Sequence, residues 1–75
     1  MRLMINGKLK ENIGATTVQE LLDELGIISE RVAVEVNLSI IRKKDFHVFR
    51  IHDGDEIEIV NFVGGGTDKR KEQSA

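Results

Sequence analysis

The side chains that most often carry chemistry are few in this sequence, and their spacing suits none of the usual reactions. None of the 75 residues is cysteine, which removes disulfides, thiolate metal sites, iron–sulfur clusters and a cysteine nucleophile. His47 and His52, with Asp53 and Asp55, bring imidazole and carboxylate close together along the chain. Their spacing matches no zinc pattern and Asp53-Gly54-Asp55 is accounted for as a turn, so no metal site is expected there. Glu56 and Glu58 alternate with Ile57 and Ile59, the pattern of a solvated strand face rather than of an acid/base pair. Arg42, Lys43 and Lys44, with Arg50 nearby, would attract phosphate. With no exposed aromatic residue accompanying them for base stacking, they read as a solvated loop. No Ser-His-Asp order, Walker-type lysine motif or dinucleotide fingerprint occurs. What remains is Gly64-Gly65-Gly66, a run with no side chains. It is either an inert flexible link or a backbone segment with a use of its own, since residues without a Cβ allow close approach and take φ angles barred to others.

Whatever the glycines do, a folded body must present them. Leu3 and Ile5 alternate with Arg2 and Met4 and run into Asn6-Gly7, a pair that tolerates the positive φ angles of a type I′ turn. A return strand is predicted over Lys8 to Ile13, with Leu9 facing inward. Val18, Leu21, Leu22 and Leu25 then fall on one face of a helix. Thr17 can cap it by accepting from the Glu20 backbone N–H, the Glu20 side chain can return the bond, and Gly26 supplies the left-handed stop. Val32-Ala33-Val34-Glu35-Val36 reads as a strand with its valines inward, followed by a turn at Asn37-Leu38-Ser39. A short strand at Ile40-Ile41 precedes an irregular stretch. Asp53-Gly54-Asp55 launches a last strand, Glu56 to Phe62, with Ile57 and Ile59 inward and Val60 and Phe62 on the outer face.

Bulk properties narrow the rest. At this length one hydrophobic core is the ceiling. No apolar run approaches the roughly 20 residues of a membrane span, and Met1-Arg2-Leu3-Met4 lacks the layout of a secretory signal. A soluble, cytoplasmic protein is expected. Eleven basic against thirteen acidic residues give a net charge of −2, which disfavours nucleic acid as a partner.

A hairpin, one capped helix and three further strands imply an α+β fold in two layers. The step from hairpin through helix into a third strand suits a crossover that makes this strand parallel to a neighbour. Asn6-Gly7, the helix start Thr17-Val18-Gln19-Glu20-Leu21-Leu22, the strand Val32 to Asn37, and Asp53 to Val60 running through Val63-Gly64-Gly65-Gly66 together resemble the thiamine-biosynthesis sulfur carriers, the ThiS family. The resemblance covers residues 1–66. It implies a β-grasp, ubiquitin-like fold with a mixed four- to five-stranded sheet and one main helix across one face. Residues 1–63 would form the domain, 64–66 a flexible glycine tail, and 67–75 a disordered polar extension.

The resemblance also implies a function. A ThiF-like adenylating enzyme, using ATP and magnesium, activates the terminal glycine carboxylate; a sulfur donor protein displaces AMP to leave a thiocarboxylate; and a ThiG-like thiazole synthase receives the sulfur. The carrier is a co-substrate, binds no cofactor itself and has no catalytic residue. The acyl end falls on Gly66, or on Gly65 if the chain is cut one residue earlier, with Gly64 and Gly65 as the approach. At about 3.3–3.6 Å per residue, Asn61 to Gly66 would reach roughly 20 Å from the sheet. Val60, Phe62 and Val63 are the candidate docking residues. Nine residues follow Gly66, whereas family members end at the glycines. Removal by a protease is the favoured expectation, beside a foreign tail or a copy that does not work as a carrier. A carrier for molybdopterin, a ubiquitin-like modifier and an inert β-grasp module are the rival readings.

Overall fold

A computed structural model describes residues 1–62 of the chain. Val63, the glycine run 64–66 and the extension 67–75 lie outside the described residues. In order along the chain, the elements are strand β1 (Leu3–Ile5), strand β2 (Lys8–Lys10), helix α1 (Val18–Leu25), strand β3 (Val32–Val36), strand β4 (Ser39–Ile41) and strand β5 (Glu56–Asn61). Short 3₁₀ turns at Ser29–Arg31 and Lys43–Asp45 connect them. The five strands form one sheet in the order β2-β1-β5-β3-β4. This is the β-grasp plan, with the last strand of the sequence at the centre.

Each hairpin follows from its turn. Asn6 and Gly7 sit at φ 51° and 80°, and the two-residue link sets β1 against β2 in the register Met4↔Leu9 and Ile5↔Lys8. Asn37 and Leu38, at φ 51° and 73°, do the same for β3 and β4, with Val36↔Ser39 and Val34↔Ile41. Leu38 is thus an exposed, non-glycine residue in the left-handed region, a local cost that glycine at the matching position of the first hairpin avoids.

Helix α1 begins where the sequence predicts. Thr17 is extended and its hydroxyl accepts from the Glu20 N–H, while Gly26 closes the helix at φ 73°. Eight residues are too few to hold a helix in isolation; burial of Val18, Leu21 and Leu22 supplies the difference, at about 1.5–3 kcal/mol per fully buried side chain. The opposite wall of the core is Leu3 and Ile5, Val32, Val34 and Val36, and Ile57 and Ile59, with Phe46 1% exposed between sheet and helix. No helix among the described residues is long and apolar enough to cross a membrane.

Several expectations need correction. Leu9 is 53% exposed rather than inward. Directly opposed residues share a face, so the Met4↔Leu9 register puts Leu9 outside with Met4 and leaves Lys8 and Lys10 guarding the sheet edge. The return strand stops at Lys10 rather than Ile13, because Asn12 turns the chain at φ 63°. The third strand is not parallel to either neighbour: β3 is antiparallel to both β4 and β5. The parallel pair is β1 with β5, in the register Ile5↔Ile57, since β5 slots between β1 and β3. The Glu20 side chain reaches one residue further than the capping pattern predicts, accepting from the Thr16 N–H and hydroxyl, both at 2.8 Å. Strand β5 ends at Asn61, one residue short of the predicted limit.

Candidate functional site at the root of the glycine tail

The candidate site is the C-terminal end of β5, where the chain passes from the sheet into the glycine run. Ile57 and Ile59 are buried, which forces Glu56, Glu58, Val60 and Phe62 onto the outer face, away from α1. Val60 is 57% and Phe62 56% exposed. Val60 lies opposite Ala33 and Glu58 opposite Glu35, while Ile40, 73% exposed, lies opposite Glu35 on β4. The outer face therefore carries apolar side chains at its tail end and carboxylates toward the middle. Beside Asn61, on the helix side, an open hollow of about 270 Å³ is lined by Gly26, Ile27, Ile28, Arg31 and Asn61, with Arg31 its only charged group.

Three contacts fix this strand. The Phe62 N–H donates to the Arg31 carbonyl at 2.8 Å. The Asn6 side-chain amide makes a two-point contact with Ile59, accepting from its N–H at 2.8 Å and donating to its carbonyl at 3.1 Å. At the start of β5, Asn37 Oδ1 accepts from the Glu56 N–H at 2.9 Å, and Asn37 Nδ2 donates to Asp55 Oδ1 at 3.0 Å. Both asparagines thus serve twice, as positive-φ turn residues and as side-chain extensions of the ladders on either side of β5. Sequence reading finds only the first role, because the partners lie 53 and 19 residues away.

The other polar candidates resolve into structure. Asp53 Oδ1 accepts from the Arg2 N–H at 2.6 Å, and Asp55 Oδ2 accepts from the His52 N–H at 2.7 Å. Gly54 completes that turn at φ 89°. Among the described residues no three ligating side chains gather around a common point, and His47 and His52 are both exposed. Arg42, Lys43 and Lys44 are exposed as predicted, but an exposed aromatic does accompany them, which corrects the sequence expectation: Lys43 Nζ stands 5.0 Å from the centre of the Phe62 ring and donates to the Val32 carbonyl at 3.0 Å. Of the predicted site residues, the structure brings Val60 and Phe62 onto one face; Val63, Gly64, Gly65 and Gly66 lie outside the described residues.

The model of the ThiS family matches residues 3–66, ending on the last of the three glycines. The chain belongs to the ThiS family. Its relatives include the sulfur carrier protein ThiS of Bacillus subtilis, 43% identical over 85% of this chain and 98% of that protein. A thiazole synthase of Paramagnetospirillum magneticum is 46% identical over 92% of this chain but only 21% of the synthase. A second thiazole synthase, from Magnetococcus marinus, is 35% identical over 88% of this chain and 20% of its own length. The chain thus spans about a fifth of the length of the thiazole synthases it matches. Among solved structures, the thiamine biosynthesis protein ThiS from Geobacter metallireducens superposes with a TM-score of 0.76 at 38% identity, covering 88% of this chain and all of that one. That likeness agrees with the β-grasp order of the strands.

Proposed function

We propose that this chain is a sulfur carrier of thiamine biosynthesis, acting through the carboxylate of Gly66, or of Gly65 if cleaved one residue earlier, as a co-substrate rather than a catalyst. The observation that carries the reading is the reach of the family match: it runs through the whole fold and stops at Gly66. A glycine run rooted at the end of the central strand leaves the folded body outside while the thread enters a partner's nucleotide site.

The chemistry is dictated by the carboxylate. Its negative charge and poor leaving group make it resist nucleophiles. Attack of a carboxylate oxygen on the α-phosphorus of ATP, held with magnesium by a ThiF-like activating enzyme, expels pyrophosphate and gives a mixed anhydride. A sulfur donor at the sulfide level then adds to the acyl carbon, AMP departs, and a thiocarboxylate remains. A ThiG-like thiazole synthase takes that sulfur. Partnership with such a synthase is supported by two thiazole synthases that contain a segment similar to this chain. Val60, Phe62 and Val63 form the docking face in this reading, supported by the exposure of the first two beside the tail root. Release of residues 67–75 frees the acyl end, and the exchange takes place in the cytoplasm.

The deciding experiment uses the chain ending at Gly66 with the cell's activating enzyme, ATP, magnesium and a sulfur donor. The mass should rise by one oxygen-to-sulfur exchange. Conjugation to lysines instead would indicate a protein modifier, and no change an inert module. Protein from its native cell should end at Gly66 or Gly65; an intact C-terminus in active cells would refute release.

A further inference from the structure

The hydrogen-bond pattern at the end of the sheet gives Lys43 a place that its exposure does not suggest. Phe62 donates to Arg31 across β3 and β5, so Arg31 and Phe62 are a bonded pair, and the next pair, Val32 and Asn61, is not. The Val32 carbonyl is therefore turned away from β5, toward β4. Strand β4 pairs Ile41 with Val34 and ends there. Two residues further the same register would set residue 43 opposite Val32, but the chain has already entered the Lys43–Asp45 turn. Lys43 supplies with its ammonium the donor that its backbone has withdrawn, at 3.0 Å from the Val32 carbonyl. That ammonium also faces the Phe62 ring at 5.0 Å. One cation thereby ties the sheet edge to Phe62, two positions before Gly64 in the sequence.

We propose that Lys43 is a positioning residue that holds the Phe62 ring in the orientation in which it meets the activating enzyme. The inference rests on the carrier reading above and on Phe62 lying in the docking face. Lysine suits the task because one N–H satisfies the carbonyl while the remaining positive charge attracts the face of the ring. Released from it, the ring samples other rotamers, and docking must select one of them at a cost in affinity.

The test uses the chain ending at Gly66, the form that acts in the carrier reading, and the cell's own ThiF-like activating enzyme, with the dissociation constant read by fluorescence anisotropy at a temperature where every variant is folded. Lys43→Met keeps the stem and should raise Kd about two- to fivefold, the value of one exposed cation–ring contact. Lys43→Arg should restore most of it. In a Phe62→Ala background, Lys43→Met should add nothing further, because its effect passes through the ring. In the parent protein the Lys43 ε-methylene protons should show an upfield ring-current shift that Phe62→Ala abolishes. Additive losses would mean that Lys43 touches the enzyme directly, and Lys43→Met binding as tightly as the parent would mean a purely structural lysine; each overturns this inference alone. A Phe62→Ala variant with unchanged Kd, or a parent that does not bind, overturns the docking reading as well.

Discussion

Replacing Asn6 by glycine would leave the first hairpin's backbone unstrained and strip two long-range hydrogen bonds from the strand that leads to the tail. Asn6 sits at φ 51°, where glycine is at ease, so the change removes the side chain without straining the turn, beside a smaller entropic cost from the freer unfolded chain. Ile59 lies opposite Val34 in a non-bonded pair of the β3–β5 ladder, which turns its N–H and carbonyl toward β1. There the Ile57 carbonyl is taken by the Asn6 N–H at 2.9 Å. The chain then leaves at Gly7, and the Asn6 amide meets Ile59 with bonds of 2.8 and 3.1 Å. Two hydrogen bonds at a net 0.5–1.5 kcal/mol each amount to about 2 kcal/mol. For a domain of this size that is a fall in Tm of about 8–16 °C. Urea unfolding gives the free energy, and amide exchange shows where it is lost: the Ile59 N–H should lose more protection than the global change accounts for. A loss below about 0.5 kcal/mol, with Ile59 protection following the global stability, would refute the idea that this side chain clamps β5.

Leu38→Gly should stabilise the protein by about 1 kcal/mol, because it relieves a left-handed leucine at the second turn position of β3–β4; a lowered urea midpoint would contradict this. Thr17→Ala should cost about 1 kcal/mol through the lost helix cap, read by thermal unfolding. The Glu20 carboxyl is held below its ordinary value of 4.5, chiefly by the Thr16 N–H, then by the Thr16 hydroxyl, with help from the Thr17 N–H and Arg50 against an opposing desolvation. A lowered value in the folded state means a stabilising contribution that is present above pH 4.5 and lost as pH falls through the folded value. Glu20→Gln should therefore lower stability at neutral pH and flatten the acid side of the stability curve; an unchanged acid slope would count against it. Phe62→Asp should impair adenylation of the chain ending at Gly66, with Tm within a few degrees of the parent, since the ring is 56% exposed. Unimpaired adenylation would remove Phe62 from the docking face.

Features legible in the sequence were those settled within a few residues. Asn6-Gly7 determines a two-residue hairpin, Thr17 and Gly26 bound the helix, and Asp53-Gly54-Asp55 turns the chain, because each depends on local φ preference or on a bond spanning three or four positions. The alternation of Ile57 and Ile59 with Val60 and Phe62 likewise assigned faces before any partner strand was known. The exposure of Leu9 follows from the same two-residue turn, whose register sets Met4 and Leu9 on one face.

Tertiary structure alone decided how the two hairpins and the last strand meet. Local sequence favours β structure at five places but carries no signal that the last strand enters between the first and the third; that choice belongs to the joint packing of all five against α1. The second roles of the turn asparagines and of Lys43 depend on it, since a side chain can bond Ile59, Glu56 or Val32 only after the register places those groups within reach. Residue order by itself determined a chain of hairpins and one helix running into three glycines. The fold determined that the last strand before those glycines is the central one, held on both sides.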